Sequence, residues 1–411
     1  MIPFSKIDDN KKTIYIIDGY GFIFRAFYAL PKFTTNDGIP IGAVYGFFKM
    51  LISLINSARP EYMIVALDTG KRTFRNDIYD DFVEKKTLKE LFLVPKYKEK
   101  FASINASFEE MISLQTSQLI EKLNIDSEII FNVCEKFNFD KTNPPKMLVI
   151  LVFLDLLNDV KVEECRTQYK ANRKETPDEL KSQFKIIREL IDSIGIKTES
   201  SIGFEADDVI GSIAKQAAKN GYKSVIISAD KDLCQLIKDD EIFVYDPVKK
   251  KFLDERNVIE KFGVRVDQIC DYLSIVGDKC DNVLGINGIG PKGAVKLLEK
   301  YEHIENILLH LNELDEKIRT KFIDNKDILE LAYNLIQLRF DAIDVKDFKQ
   351  YKMVINNQGL NNFIKKYGFK TLDLIQKNNH FLKNKNVKQY NSENFSKKKD
   401  IQFEKKQGNL F

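Results

Sequence analysis

Histidine is scarce in this chain. Only His303, His310 and His380 occur, and the first two sit at helical spacing in an ordinary amphipathic stretch, so catalysis by imidazole is not expected. Cysteine is nearly as rare. The five that occur (Cys134, Cys165, Cys234, Cys270 and Cys280) are odd in number and show no C-x-x-C pair, which excludes a disulfide framework and a zinc-thiolate site. Long apolar runs are missing as well: the most hydrophobic one, Met147 to Leu157, is too short for a bilayer and contains Asp155. No charged segment leads into an apolar stretch at the N-terminus, and no G-x-x-x-x-G-K-[ST] loop suggests nucleotide binding. A cytoplasmic protein without membrane contact is the expectation. With histidine and cysteine set aside, any working metal must be held by carboxylate oxygens, which suit the hard ions Mg²⁺ or Mn²⁺.

What the chain does have is 44% hydrophobic residues over 411 positions, enough for a substantial core and more than one structural unit. Its 64 basic and 61 acidic residues nearly cancel, so their distribution matters more than their sum. Three short β-branched runs, Ile14 to Ile17, Met63 to Leu67 and Val225 to Ser228, read as buried strands. Helical patterns over Gly42 to Ser57, Pro177 to Ile194 and Ala206 to Asn220 alternate with them, which predicts a parallel α/β sheet. From Val266 the pattern turns helical. The ranges that follow are an α/β core over 1–82 and 164–262, an insertion over 83–163, a helical region over 263–375, and a lysine- and asparagine-rich tail over 376–411 that is expected to be disordered.

Each predicted strand runs into an aspartate: Asp18 after Ile16-Ile17, Asp68 after Ala66-Leu67, and Asp230 after Ser228-Ala229. In a parallel sheet these strand ends share one edge, so the three carboxylates should meet there. Glu205, Asp207 and Asp208 at a helix start, Asp232, and Asp278 with Asp281 thicken the cluster to nine. A lone strand-end aspartate usually forms a turn, and an acidic first helical turn usually just complements the helix dipole; the recurrence of the pattern is what argues for more. Crowded carboxylates raise one another's pKa unless a cation neutralises them. Two hard cations about 4 Å apart can activate water for in-line attack on phosphorus and stabilise the departing oxygen.

Several segments together resemble the 5′ nuclease (flap endonuclease) family, in particular the 5′-3′ exonuclease domain of bacterial DNA polymerase I. They are Ile17-Asp18-Gly19 with Arg25-Ala26-Phe27, Thr73-Phe74-Arg75, Tyr169 to Arg173, Glu205 to Gly211, Asp230-Lys231-Asp232, and Gly277-Asp278 to Asn282. The resemblance implies a PIN-like parallel-sheet core followed by a helix-hairpin-helix (H3TH) region. It also implies a two-metal hydrolase, Mg²⁺-dependent with Mn²⁺ able to substitute, that acts on DNA 5′ ends, flaps and RNA primers in primer removal and repair. All nine carboxylates would belong to the metal site. Lys170, Arg173 and Arg25 would serve catalysis near the scissile phosphate, and Arg75, Tyr169, Gly285, Gly288, Gly290 and Lys292 would bind DNA. Tyr169 would stack on a base, and the hairpin glycines would approach phosphates through backbone N–H groups. A K⁺ ion on the hairpin carbonyls is also implied, and the resemblance would place the protein at the nucleoid.

Two features depart from the family pattern. An extra stretch on the order of 80 residues separates Arg75 from Tyr169 at the position of the family's helical arch. That insertion opens an alternative reading, a branched-DNA-binding protein whose catalysis is blocked. With no polymerase domain following, the chain reads as either a stand-alone nuclease, expected to be a monomer, or a truncated product; Gln407, Leu410 and Phe411, which resemble a sliding-clamp-binding Q-x-x-L-F peptide, favour the former.

Overall fold

The computed structural model describes residues 12–30, 32–105, 107–137, 139–142, 144–154 and 169–369. Two compact units share the chain: Met1–Lys71, Glu175–Ile269 and Leu338–Phe411 form one, Arg72–Lys174 and Cys270–Gln337 the other.

The first unit is built on a six-stranded sheet of β1 (Thr13–Asp18), β2 (Tyr62–Ala66), β3 (Lys197–Glu199), β4 (Lys223–Ile227), β5 (Ile242–Asp246) and β6 (Lys251–Leu253). The spatial order is β3-β2-β1-β4-β5-β6, parallel except for the β5–β6 pair. Strands β2 and β4 are buried at every position, as an all-parallel sheet covered on both faces requires. The order reverses between β1 and β4, which puts a crevice at the C-terminal ends of these strands.

One core cluster joins Ile17, Val65 and Ile227 of the sheet to Phe47 and Leu51 of the helix Gly42–Ala58 and to Ile187 and Leu190 of the helix Asp178–Ile194. Burying side chains of this size contributes roughly 1.5–3 kcal/mol each. Gln183 adds a polar tie: its Oε1, buried between the two helices, accepts from the N–H groups of Ala43 (2.8 Å) and Val44 (3.3 Å), so two open donors of a helix start are satisfied. Residues 357–369 return to this unit, and Leu360, Phe363 and Ile364 lie in the same core as Ile17.

The second unit is helical. The helix Phe74–Leu93 leads into five further helices, Pro95–Ser103, Phe108–Ser113, Thr116–Lys122, Ser127–Phe137 and Lys146–Leu154, with a core of their own. The apolar run starting at Met147, which had no evident role in the sequence, is the centre of that core: Leu148, Val149 and Ile150 are fully buried. The same unit holds Ile269–Val276, Pro291–Tyr301, Ile304–Leu309, Glu316–Asp324 and Lys326–Ile336; of these, Ile269 belongs by its contacts to the first unit.

These units run differently from the sequence-based ranges. Residues 72–82 belong with the helical unit because one continuous helix carries them into the insertion, and residues 338–369 belong with the sheet because their apolar faces complete its core.

Inside the helical unit, Glu84 lies 3.8 Å from Lys146. Burial is the main reason that its carboxyl is pushed up to about 7, with Asp81 and Asp80 adding to the effect and Lys146 opposing it. A raised acid pKa means that the folded state holds the proton more tightly than the unfolded chain. Stability is therefore lost as pH rises from the ordinary glutamate range through about 7. Glu84→Gln is expected to raise the melting temperature at roughly pH 8 by a few degrees, on the order of 1 kcal/mol, and to change little at roughly pH 4. Thermal melts at the two pH values check this.

Candidate metal centre and nuclease site

Asp18 closes β1 and opens the helix Gly19–Ala29, whose Gly21 N–H donates to its Oδ1 at 3.0 Å. The two glycines that follow it in the helix, Gly19 and Gly21, make room. A Cβ on Gly19 would lie 2.7 Å from the Ala66 carbonyl oxygen, and one on Gly21 would lie 2.4 Å from the Asp18 carboxylate itself. The Ser228 hydroxyl donates to Asp18 Oδ2 at 2.8 Å and accepts from the N–H of Asp230 at 3.0 Å. Ser228 thus joins the ends of β1 and β4. Sequence reading passed over it; its only signal was a polar residue between a buried strand and its terminal aspartate.

Burial pushes the Asp18 carboxyl up to about 6, and the negative charges of Asp230 and Asp68 push in the same direction against the hydrogen bonds from Gly21 and Ser228. Asp68 Oδ1 accepts from the Ala206 N–H at 2.7 Å, which ties the end of β2 to the first turn of the helix Ala206–Lys219. Glu205 caps that helix, with Asp207 in its first turn. Asp230 Oδ1 accepts from the N–H of Asp232 at 2.9 Å, closing the turn beyond β4. Arg188, also overlooked in the sequence, hydrogen-bonds Tyr20, whose phenol is pushed up by burial and by the charge of Asp68.

Asp208 requires a correction. Its carboxylate is fully buried; Oδ2 accepts from the Glu205 N–H at 3.1 Å and Oδ1 from the Arg339 N–H at 2.9 Å. The i, i+3 spacing with Glu205 is that of a capping box, so Asp208 acts as a structural acceptor at the helix start.

In the helical unit, Asp278 is buried and accepts from the Cys280 N–H at 2.9 Å. Asp281 is bridged by Arg173 and, at 3.3 Å, by Lys170. Burial raises its pKa, but the two cations outweigh that and hold the carboxyl below its ordinary range. Asp281 is thus already neutralised and anchors the two basic groups; the Lys170 N–H also donates to the Asp281 carbonyl at 3.0 Å, and Asn172 donates to the Lys279 carbonyl.

Two DNA-binding assignments change, those of Arg75 and Tyr169. Arg75 is 2% exposed; its Nε donates to the Leu335 carbonyl at 2.7 Å and its Nη2 to the Gln337 carbonyl at 3.0 Å, so it caps a helix end and cannot reach DNA. Tyr169 is buried beneath the Lys170 ammonium, 5.0 Å from the ring centre, and offers no open face for a base. Gly285 is small because backbone lies against it: a Cβ there would meet the Gly277 nitrogen at 2.4 Å. Arg25 is half-buried on the helix that Asp18 caps. Gly290 caps Pro291–Tyr301 in open space, with Lys292 exposed in its first turn, and the Gly288 carbonyl accepts from Lys321.

The donor set suits hard divalent ions. All candidate ligands are carboxylates, and the residues that hydrogen-bond Asp18, Gly21 and Ser228, bring no positive charge to offset its neighbours. The family model of the 5′-3′ exonuclease N-terminal resolvase-like domain matches residues 13–126 and 116–263, and that of the 5′-3′ exonuclease C-terminal SAM fold matches 264–358. The chain belongs to the 5′-3′ exonuclease family. It is a nuclease, a hydrolase of a divalent-metal-dependent family with a mostly parallel PIN-like sheet domain and a helical C-terminal domain.

A 5′-3′ exonuclease of Aquifex aeolicus is 32% identical over 80% of this chain and 83% of its own length. The DNA polymerase I of Rhizobium leguminosarum is also 32% identical over 80% of this chain, but the match spans 25% of that larger protein. Among solved structures, the T5 D15 protein co-crystallised with metal ions aligns over 87% of this chain and 98% of its own, at 18% identity and a TM-score of 0.50, a likeness of fold. The two pieces of the N-terminal match meet at 116–126, within the stretch read as an insertion.

Two outcomes test the site. Asp208→Asn leaves two backbone donors without a full acceptor set and should cost about 2–4 kcal/mol of stability, whereas Asp230→Asn should leave the melting temperature within about a degree and lower hydrolysis by more than about a hundredfold. Melting and nuclease assays on both variants separate the roles. Because the raised pKa of Asp18 means that its ionisation destabilises the metal-free fold as pH rises through about 6, bound cation should restore stability above that point. The increase in melting temperature on adding Mg²⁺ or Mn²⁺ is expected to shrink as pH falls through about 6 and to vanish with chelator.

Proposed function

We propose that this protein is a structure-directed 5′ nuclease that uses two divalent ions, Mg²⁺ in the first instance, to hydrolyse DNA at 5′ ends, flaps and RNA primers during replication and repair. The observation that carries the reading is the meeting of Asp18, Asp68 and Asp230 at the C-terminal edge of the parallel sheet, where burial and mutual repulsion push Asp18 up to about 6.

Asp18, Asp68, Glu205, Asp207, Asp230 and Asp232 of the sheet unit would hold the ions; Asp278 and Asp281 are the acidic candidates of the helical unit. Ions held there would supply an acidified water and charge stabilisation on the leaving oxygen. The chain's own work is positional. Ser228 fixes the Asp18 and Asp230 ends relative to each other, and the Asp68–Ala206 hydrogen bond keeps the acidic helix start beside β2. Lys170 and Arg173, steadied by Asp281, and Arg25 on the Asp18 helix would offset phosphate charge. The exposed Lys292 and open Gly290 suit contacts that track a duplex backbone without reading its sequence.

Gln407, Leu410 and Phe411 lie outside the described residues; on their sequence alone they support tethering to a sliding clamp. A monomer acting in the cytoplasm completes the reading.

A labelled 5′-flap duplex incubated with the full chain and Mg²⁺ should be cut near the junction, with chelator stopping the reaction. Absence of turnover with both Mg²⁺ and Mn²⁺ would overturn the proposal. The insertion's separate core gives the blocked-nuclease reading a physical basis, and that reading requires binding without cleavage until residues 83–163 are deleted.

A further inference from the structure

The hairpin Gly285 to Gly290 turns at Gly288, whose φ of +78° is a left-handed value that favours glycine. The resemblance to the 5′ nucleases implies an alkali-metal ion on carbonyls of this hairpin, and the structure disagrees at this turn. The Gly288 carbonyl accepts a 2.7 Å hydrogen bond from the Nζ of Lys321, 33 residues further along the chain. The lysine stem lies directly over the glycine: an added Cβ would be 2.6 Å from Nζ and 3.1 Å from Cε. The ammonium thus occupies the space beside Gly288 that a side chain would enter.

The lysine is well placed to stay. It sits on the helix Glu316–Asp324 next to the fully buried Phe322, and its own carbonyl accepts from both the N–H (3.1 Å) and the side-chain amide (2.9 Å) of Asn325, which fixes the helix end. An ammonium matches a potassium ion in charge and closely in size, and like charges repel across one shared carbonyl. The carbonyl therefore already carries its cation. From these contacts we infer that Lys321 is the hairpin's built-in monovalent cation: a tethered ammonium that takes the place of a diffusible ion and faces the duplex backbone. The inference rests on the duplex-binding role given to the hairpin above. It makes DNA affinity indifferent to which alkali ion is present, while leaving it sensitive to ionic strength as phosphate contacts require.

The test measures binding of the full chain to a labelled 5′-flap duplex by fluorescence anisotropy, without divalent ions, in KCl, NaCl and LiCl of equal ionic strength. The unaltered chain is expected to show the same Kd in all three within about twofold, and Lys321→Met to bind about tenfold more weakly in NaCl and LiCl, with KCl restoring part of the loss. Lys321→Gln, with thermal melts of both variants, controls for misfolding, and the ion exchange on the unaltered chain needs no variant. A clear K⁺ preference in the unaltered chain would overturn the inference, as would variants that bind like it. A loss of affinity that no alkali ion restores would make Lys321 an ordinary phosphate contact and also overturn it. Failure of the unaltered chain to bind the duplex in any of the salts would instead remove the duplex-binding role itself.

Discussion

Negative charge gathered at the C-terminal edge of a parallel sheet is unstable by itself, and much of the sheet unit is organised around tolerating it. Each strand end brings its carboxylate to the same crevice because the strands are parallel and the order reverses between β1 and β4. Hydrogen bonds from Gly21 and Ser228 soften the burial of Asp18 without cancelling its interaction with Asp68 and Asp230. A site left short of positive charge in this way suits small hard cations, as the divalent-metal dependence of the family requires. The same electrostatics separate Asp208 and Asp281 from the rest. Asp208 accepts from two backbone N–H groups, and Asp281 is bridged by two basic side chains.

The parts of this arrangement that were legible in the sequence are those with strong local signals. β1, β2 and β4 stand out because they are largely buried and rich in isoleucine and valine, and the aspartates at or just beyond their ends are fixed by chain direction alone. β3 and β6 were missed; they are three residues long and owe their existence to pairing with a neighbour more than to composition. β5, Ile242–Asp246, carries an apolar pattern as clear as the others but lies in a turn-rich stretch that obscured it.

The site errors share one cause, which is that charge and spacing do not reveal a partner distant in sequence. Nothing near Arg75 announces that the carbonyls of Leu335 and Gln337 will consume its guanidinium, and nothing near Asp208 announces Arg339. A capping box and a pair of metal ligands look alike as text, since both place acidic groups three residues apart at a helix start. Lys321 was invisible for the complementary reason: a lone lysine on an amphipathic helix carries no signal until the fold brings it to Gly288.

The return of residues 338–369 to the sheet unit has a consequence for how the protein is made. During synthesis the strands and their aspartates emerge from the ribosome long before the segment that supplies the Arg339 N–H to Asp208 and the Leu360, Phe363 and Ile364 side chains to the core. Until then a carboxylate destined for the interior lacks one of its donors and part of the apolar layer is open to water, so the catalytic half cannot mature ahead of the helical segment that follows it.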